Sequence, residues 1–352
     1  MNGRSGFIFE LGYTLSQGLR SSRYISQSIF GTIVLGRRPS PEQVEQLPPH
    51  TELLKGLWEI LRRDARQIRS GVYKAPTRWV ESPAQFAKSS FRVIRDLTRV
   101  KRREQTGQVV DLPEHKGLPG LPKYYLQNFH FQTDGWLSEK SADLYDHQVE
   151  VTFGGTAAAM RRQVLPPLVN YLREKGLLGR VSELQMLDLA SGTGSLAVDI
   201  KHNFPDLHLT LSDLSPFYLK KARKNLASFS RTDFVEANAE NLPFRDAHFD
   251  VVVCVYLFHE LPRRVRALVM NEVHRVLKPG GLFIFVDSIQ LGDNSHFDGS
   301  LRHFPVHHHE PYYMDYVSRP LSDFVPDAKW SLRETHLAFL SKVAAYEKLP
   351  SP

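Results

Sequence analysis

The chain has 352 residues, of which 41% are hydrophobic and 24% are charged. This composition supports a sizeable buried core and excludes a disordered chain. The single cysteine, Cys254, excludes an intrachain disulfide and a metal site built from several cysteines. The longest apolar run, 251–258, is too short to predict a membrane-spanning helix.

The net charge of +7 is unevenly distributed along the chain. Residues 1–140 contain 22 Lys and Arg against 13 Asp and Glu, a net charge of +9. Residues 141–352 contain 23 against 25, a net charge of −2. This asymmetry predicts a basic N-terminal region followed by a nearly neutral domain of the kind found in enzymes.

The first forty residues contain five arginines, seven serines and a single acid, Glu10. Apolar residues recur there near a helical period, which predicts a helix. One interpretation is a permanent surface helix on a cytoplasmic protein that lies peripherally on a membrane. The other is an organellar transit peptide, which has the same Arg-rich, Ser-rich and acid-poor composition.

Two more helices are predicted before residue 106, at 51–72 and from Ser82 and Pro83 to about Arg103. The second has basic residues at helical spacing, at Lys88, Arg92, Arg95, Arg99 and Arg102. This basic face favours either docking on an anionic membrane or acidic partner, or simple solvation. Nucleic acid is disfavoured because aromatic residues do not alternate with the basic ones.

Glycines and prolines at 106–123 predict a linker between a basic helical extension, 1–105, and a compact domain, 124–349. From residue 183 the pattern alternates between strands and helices. Strands are predicted at 183–189, 207–212, 232–236, 249–255 and 282–287, and helices at 195–203, 215–228 and 262–277. This alternation predicts an α/β fold with a doubly wound parallel sheet, whose ligands bind at the carboxyl ends of the strands.

The turn after the first of these strands has the sequence GTGSLA at 192–197, which fits a nucleotide-binding pattern. Asp188, four residues before Gly192, would repel a pyrophosphate but attract an amino group. Asp213, at the end of the second strand, suits a ribose diol. A ligand with an ammonium group, a ribose and an adenine is S-adenosylmethionine (SAM). An NAD-dependent oxidoreductase remains the enzymatic alternative.

Four segments carry a resemblance to a known superfamily. The segment MLDLASGTG at 186–194 resembles motif I of class I SAM-dependent methyltransferases. NAENLPF at 238–244, FDVV at 249–252 and EVHRVLKPGG at 272–281 resemble later segments of that superfamily. The resemblance covers about 145–349 and is nearest to the ubiquinone/menaquinone-biosynthesis methyltransferase type. It implies SAM as cofactor and a Rossmann-like, seven-stranded sheet that ends in a helix at 312–324 and strands at 332–339 and 341–346, the last strand antiparallel.

The resemblance also implies a set of cofactor-binding residues. Asp188 would orient the methionine amino group, Asp213 would bind the ribose hydroxyls, and Cys254 would lie under the sulfonium. Cys254 has an alternative interpretation as a buried strand residue. The segment 128–138 is predicted to be a lid over the cofactor and a wall of the substrate site, with a hairpin packed on the sheet as the alternative. The full set is Asp188, Ala190, Ser191, Gly192, Thr193, Gly194, Asp213, Leu214, Asn238, Ala239, Cys254 and Tyr145.

Methyl transfer from a sulfonium is an in-line displacement, so the protein chiefly aligns the acceptor. His259, just past the fourth strand, is predicted to take a proton from the acceptor, with helix capping as the alternative. The histidine-rich loop 296–309 is predicted to cover the active site and to supply His309, with Tyr312 beside it. No metal is predicted, because consecutive histidines point in different directions.

The predicted function is methyl transfer to a small, apolar acceptor of the quinone or lipid type. The predicted partners are this small molecule and a membrane surface contacted by the basic helices. A different class of function remains open, that of a catalytically silent, methyltransferase-like binding or assembly factor in which the extension is the working part. The complete set of Asp188, Gly192, Gly194 and Asp213 argues against this alternative.

Overall fold

The computed structural model describes residues 3–37, 40–77, 82–113 and 120–350. Residues 114–119 of the predicted linker lie outside the described residues. The helices are α1 (Gly3–Leu35), α2 (Pro41–Gln46), α3 (His50–Arg69), α4 (Pro83–Thr106), α5 (Glu139–Thr152), α6 (Ala157–Arg161), α7 (Leu165–Glu174), α8 (Ser195–Asn203), α9 (Pro216–Asn225), α10 (Arg263–Val276), α11 (Asp298–His308) and α12 (Tyr313–Val317). The strands are β1 (Gln185–Leu189), β2 (His208–Asp213), β3 (Thr232–Glu236), β4 (Phe249–Val255), β5 (Leu277–Ser288), β6 (Trp330–Ala338) and β7 (Ser341–Lys348).

The seven strands form one sheet in the order β3-β2-β1-β4-β5-β7-β6. Strands β1 to β5 are parallel, and β7 is antiparallel to both of its neighbours. The predicted doubly wound sheet with an antiparallel last strand is therefore confirmed. Chain order reverses between β1 and β4, which places a ligand-binding crevice at their carboxyl ends.

Alternate residues of the central strands enter two cores, one on each face of the sheet. In β4, Val251 and Val253 belong to one core, whereas Val252 and Cys254 belong to the other. This follows from the two-residue side-chain period of a strand that is covered on both faces.

The N-terminal helices pack into the first of these cores. Leu57, Ile60 and Leu61 of α3 are buried in the same cluster as Met186 of β1. Below them, the fully buried Asp64 accepts hydrogen bonds from Tyr13 (2.7 Å), Tyr73 (2.6 Å) and both Nε (3.0 Å) and Nη2 (2.6 Å) of Arg162. This Asp64 network joins α1, α3 and the segment before α7. The division at residues 105 and 124 stays a prediction.

Helix α3 also contacts the far end of the chain. Gly56 lies against the ring of Phe339 in the turn between β6 and β7, where a Cβ would come within 2.6 Å of the ring. The Arg63 Nη1 donates to the carbonyl of Leu337 at 2.6 Å. The first hundred residues and the last twenty therefore pack against each other directly.

Helix α1 has an unusual distribution of polarity. Its buried side carries tyrosine and polar residues, namely Tyr13, Thr14, Gln17, Ser21, Tyr24 and Gln27. Its exposed side carries an apolar stripe, which consists of Phe7, Ile8, Leu11, Leu15, Leu19, Ile29, Phe30 and Ile33. Contiguous exposed apolar surface of this kind marks interaction sites. In the described part of the chain, no helix has the length and hydropathy needed to cross a membrane.

Two expectations for the C-terminal part are wrong. The histidine-rich loop is largely helical, since α11 covers 298–308, and its Leu301 and Phe304 face the core or a cavity at helical spacing. The single helix predicted at 312–324 is instead the short α12 and a 3₁₀ turn at Leu321–Asp323. Pro320 separates them, because proline lacks the amide hydrogen that a continuing helix needs.

Candidate active site

The turn after β1 requires left-handed backbone at three positions. Ala190, Gly192 and Gly194 have φ values of 54°, 55° and 74°. A Cβ on Gly194 would lie 2.7 Å from a methyl carbon of Leu226, so this glycine allows α8 and α9 to pack closely. Gly192 has no such neighbour, and its backbone lines an open cavity instead.

Asp213, at the end of β2, is fixed by the same turn. Its two carboxylate oxygens accept hydrogen bonds from the amides of Gly192 and Ser215, each at 2.8 Å. Burial raises the pKa of Asp213 to about 6. A carboxylate has about four acceptor positions, so Asp213 can still accept hydrogen bonds from the hydroxyls of a ligand in the cavity.

Asp188 in β1 is 2% exposed, and its Oδ2 has no hydrogen-bond partner in the described structure. Burial, together with the nearby charge of Asp213, raises the pKa of Asp188 to about 8. A buried carboxylate without a partner is unfavourable. A cationic amino group placed above the turn would compensate for this, whereas a pyrophosphate would not.

The cofactor cavity, as we name it, lies at the carboxyl ends of β1, β2 and β4. The predicted residues that line it are Tyr145, Ala190, Gly192, Asp213, Leu214, Asn238 and Ala239. Those that do not line it are Asp188, Ser191, Thr193, Gly194 and Cys254. Cys254 is buried in the core cluster that also contains Leu189, and Val255 lines the cavity beside it, so the predicted sulfonium contact stays a prediction. The Thr193 hydroxyl donates to Asp146 at 2.7 Å.

An aromatic wall closes one side of the cofactor cavity. Trp136, Tyr145 and Tyr218 contact one another edge to face, with ring centroids 5.4–5.7 Å apart. Trp136 comes from the segment 128–138 that was predicted to be a lid. Tyr124 and Tyr125, which the sequence did not single out, line the same cavity. Aromatic faces of this kind suit a nucleoside base.

A second cavity, of about 320 Å³, meets the first. We name it the acceptor cavity. Tyr145, Tyr256 and Glu260 line both cavities. The acceptor cavity extends from these residues to the space between α1 and α4, where Leu35, Val93, Leu97 and Val100 line it. Its inner end is polar and contains His130, His259, Ser288 and Tyr313.

His259 lies at that inner end, on the 3₁₀ turn after β4. Its Nδ1 is 2.5 Å from Asp287 Oδ1, and Asp287 Oδ2 accepts the amide hydrogen of Phe258 at 2.8 Å. Burial disfavours the charged imidazole, but the carboxylates of Asp287, Glu310 and Glu260 outweigh this effect and raise the pKa of His259 to about 9. The Asp287 carboxylate thus favours the protonated imidazole, and the role of His259 as a base stays a prediction.

Each of the two other predicted catalytic residues is the sequence neighbour of a residue that lines the acceptor cavity. His309 binds Gln127 through its Nε2 at 2.9 Å, and Tyr312 packs on the aromatic cluster of Phe129 and Trp136. Neither lines the cofactor cavity or the acceptor cavity. Their neighbours His308 and Tyr313 line the acceptor cavity. The helical phase of α11 and α12 decides this, and the sequence pattern of a presumed loop does not reveal it.

Comparisons with known proteins agree with this geometry. Residues 186–281 match the family model described as a methyltransferase domain. The ubiquinone/menaquinone biosynthesis C-methyltransferase UbiE of Bartonella quintana is 41% identical over 113 residues, which are 30% of this chain and 42% of that protein. The malonyl-[acyl-carrier protein] O-methyltransferase of Geobacter sulfurreducens is 34% identical over 128 residues, which are 36% of this chain and 46% of that protein. The chain thus spans less than half the length of either relative.

Among solved structures, a SAM-dependent methyltransferase from Methanosarcina mazei aligns with 53% of this chain and 98% of its own length, at 20% identity and a TM-score of 0.42. The family match, the sheet topology and the turn after β1 together define the class. The chain contains a class I SAM-dependent methyltransferase domain of Rossmann-like fold. S-adenosylmethionine is the cofactor of this domain, and the unpartnered oxygen of Asp188 fits its amino group.

Proposed function

We propose that this protein transfers the methyl group of S-adenosylmethionine to an amphiphilic, largely apolar acceptor. The observation that carries the proposal is the junction of the two cavities at Tyr145, Tyr256 and Glu260. A cofactor beneath the aromatic wall and an acceptor in the second cavity would meet there. In-line displacement needs this alignment, since the sulfonium itself supplies the leaving group.

The walls of the acceptor cavity favour a molecule with a polar head and an apolar body. The inner end offers His259 and the Tyr313 hydroxyl, which lies 2.7 Å from Ser288 Oγ. The outer end is formed by aliphatic side chains of α4 and by Leu35 of α1, beside the polar α1 residues Gln27, Ser28 and Thr32. Ligand sites of this kind are mainly apolar with a few polar groups that fix orientation. A quinone- or lipid-like molecule has this division.

We propose further that α1 and α4 dock on an anionic membrane surface. The apolar stripe of α1 offers the groups that enter an interface, and α4 runs parallel beside it, with Lys101 Nζ bound to the carbonyl of Val34 at 2.9 Å. Five described basic residues of α4 are exposed and make no ion pair within the described structure, namely Lys88, Arg92, Arg95, Arg99 and Arg102. Such a combination suits anionic lipids. The acceptor cavity opens between the same helices.

The enzymatic proposal is tested with isotopically labelled methyl groups. The full chain is incubated with labelled SAM and a lipid extract, and we expect label in the lipid fraction. The variant Leu97→Trp, which fills the outer end of the acceptor cavity, should lower this incorporation at least tenfold while SAM binding stays unchanged. Leu268→Trp, at an exposed position on α10, is the matched control. SAM binding without any labelled product would favour the silent binding factor.

The membrane proposal is tested with vesicles. Co-sedimentation with phosphatidylglycerol vesicles should exceed that with phosphatidylcholine vesicles, and it should weaken in high salt. A triple variant, Leu11→Gln, Leu15→Gln and Leu19→Gln, should abolish it, whereas Leu268→Gln should not. Deletion of 1–105 is a poorer test, because it would also remove the buried side chains of α3. Equal binding of the triple variant, or a concentration-dependent dimer that it disrupts, would contradict membrane docking.

A further inference from the structure

Three side chains from distant parts of the chain meet at the inner end of the acceptor cavity. They are His130 from the turn Phe129–Phe131, Glu260 from the turn after β4, and Glu310 from the segment after α11. One potential ligand atom of each lies within 4.8 Å of the other two. We propose that these residues bind a divalent metal ion of the Mn²⁺ or Zn²⁺ type, beside the acceptor. The proposal deepens the proposed function and rests on it for the role of the metal.

The burial of Glu310 without a hydrogen-bond partner is the strongest evidence for a metal ion at this position. Its side chain is fully buried, and neither carboxylate oxygen has a hydrogen-bond partner in the described structure. A buried carboxylate with no partner is very unfavourable unless a charge is supplied. Its Oε1 lies 3.1 Å from Nε2 of His130, which lines the acceptor cavity. A bound cation would compensate for this burial.

The contact between His130 and Glu310 has the geometry of two ligands of one ion. His130 Nε2 and Glu310 Oε1 are 3.1 Å apart, yet this pair does not meet the angular criteria of a hydrogen bond. Two donors that each lie about 2.1 Å from an ion, at a right angle, are about 3 Å apart.

The backbone supports a functional role for His130. Its φ of 55° is in the left-handed region, which is costly for a residue with a side chain and is concentrated at functional sites. The neighbouring Asn128 enforces this turn, because its side chain donates to the carbonyls of Asp111 (3.0 Å) and Gln132 (2.8 Å) and accepts from the amide of Asp111 (2.6 Å). The ring is therefore held in place before any ligand arrives.

The donor set indicates the kind of metal. One imidazole nitrogen and two carboxylates suit Mn²⁺ or Zn²⁺ better than Mg²⁺, which prefers oxygen ligands alone. Three protein ligands leave coordination positions open toward the cavity. His130 and Glu260 both line that cavity, and Glu260 also lines the cofactor cavity. An oxygen of the acceptor head group could therefore bind the ion next to the transferred methyl.

The test is direct metal binding to the full chain in the absence of SAM. Mn²⁺ is titrated and the free ion is measured by electron paramagnetic resonance, and Zn²⁺ is then used to displace it. We expect one ion per chain. Glu310→Gln and His130→Asn should each weaken binding at least tenfold, and asparagine tolerates the left-handed backbone at position 130. Glu334→Gln is the matched control, because Glu334 also has an unpartnered oxygen but lies in β6.

Absence of Mn²⁺ and Zn²⁺ binding below about 100 μM in the wild type, or equal binding by the Glu310→Gln and Glu334→Gln variants, would overturn the proposal. This result is independent of methyl transfer. Metal binding without labelled product would contradict the proposed function alone, whereas labelled product in metal-free protein would contradict the role given to the ion.

Discussion

Two buried aspartates show how differently this molecule treats charge in its two parts. Asp64, between the N-terminal helices, is 0% exposed and accepts four hydrogen bonds. Asp188, beneath the turn of the methyltransferase domain, is 2% exposed and leaves one oxygen without a partner. The chain therefore satisfies a buried charge fully where it only has to hold helices together. At the ligand site, one carboxylate oxygen of Asp188 has no partner in the chain and is available to the ligand.

The largest effect on stability is expected from replacing Asp64, whose carboxylate is fully hydrogen-bonded. Asp64→Ala leaves the buried Arg162 without its main partner and should lower the free energy of unfolding by about 3–5 kcal/mol. The midpoint of urea unfolding measures this. Asp206→Ala, at an exposed position, should change stability by less than about 0.5 kcal/mol. If both variants unfolded at the same denaturant concentration, the Asp64 network would not join the two parts.

Replacing Asp188, whose carboxylate has an oxygen without a partner, should weaken ligand binding. Asp188→Asn retains the shape but not the charge, and it should weaken SAM binding at least tenfold, which is about 1.4 kcal/mol. Calorimetric titration measures this. Asp250→Asn is the control at the other end of the sheet, where Asp250 binds Lys278 at 2.7 Å. Unchanged affinity in Asp188→Asn would mean that the amino group of the cofactor lies elsewhere.

The same substitution should stabilise the cofactor-free protein. The pKa of Asp188 is raised from 3.8 to about 8, so the folded protein binds a proton that the unfolded chain releases. Stability is therefore lost as the pH rises from about 4 to about 8. Relative to wild type, Asp188→Asn should be unchanged near pH 4 and more stable by about 1 kcal/mol or more at pH 8. A melting series over this range measures the difference, and a constant difference across it would contradict the assignment.

The smallest effect on stability is expected on the exposed side of α1. Leu15→Gln removes an apolar group that is 52% exposed, and it should change the free energy of unfolding by less than about 0.5 kcal/mol. Thermal unfolding of the full chain measures this. A loss of about 2 kcal/mol, as for a core leucine, would mean that the apolar stripe is covered within the chain or by a second copy.

The sequence predicted the sheet well because its signals are local. Asp188, Gly192 and Asp213 stand at strand ends, where the order of elements alone determines that they meet. His130, Glu260 and Glu310 could not be found in the same way, because no short spacing joins three separate segments. The sequence pattern did not show which side chains of α11 and α12 face the acceptor cavity. It therefore indicated Tyr312 where the structure has Tyr313.

Helix α1 illustrates a different limit. Its apolar residues and its polar residues both recur at helical spacing, as with Leu11 and Leu15 on one side and Tyr13 and Gln17 on the other. Periodicity shows that two faces exist but not which one the rest of the chain covers. The polar partners that meet this face explain why it is the buried one, Asp64 for Tyr13 and His147 for Gln27.

The contact between α3 and the β6–β7 turn has a consequence for synthesis. Arg63 and Leu337 are separated by 274 residues, so α3 cannot complete its packing until nearly the whole chain has left the ribosome. At about 5–20 residues per second, this wait lasts on the order of 15–55 s. During that time the apolar stripe of α1 and the core side of α3 are both accessible. A nascent chain of this protein should therefore need a chaperone until its methyltransferase domain is complete.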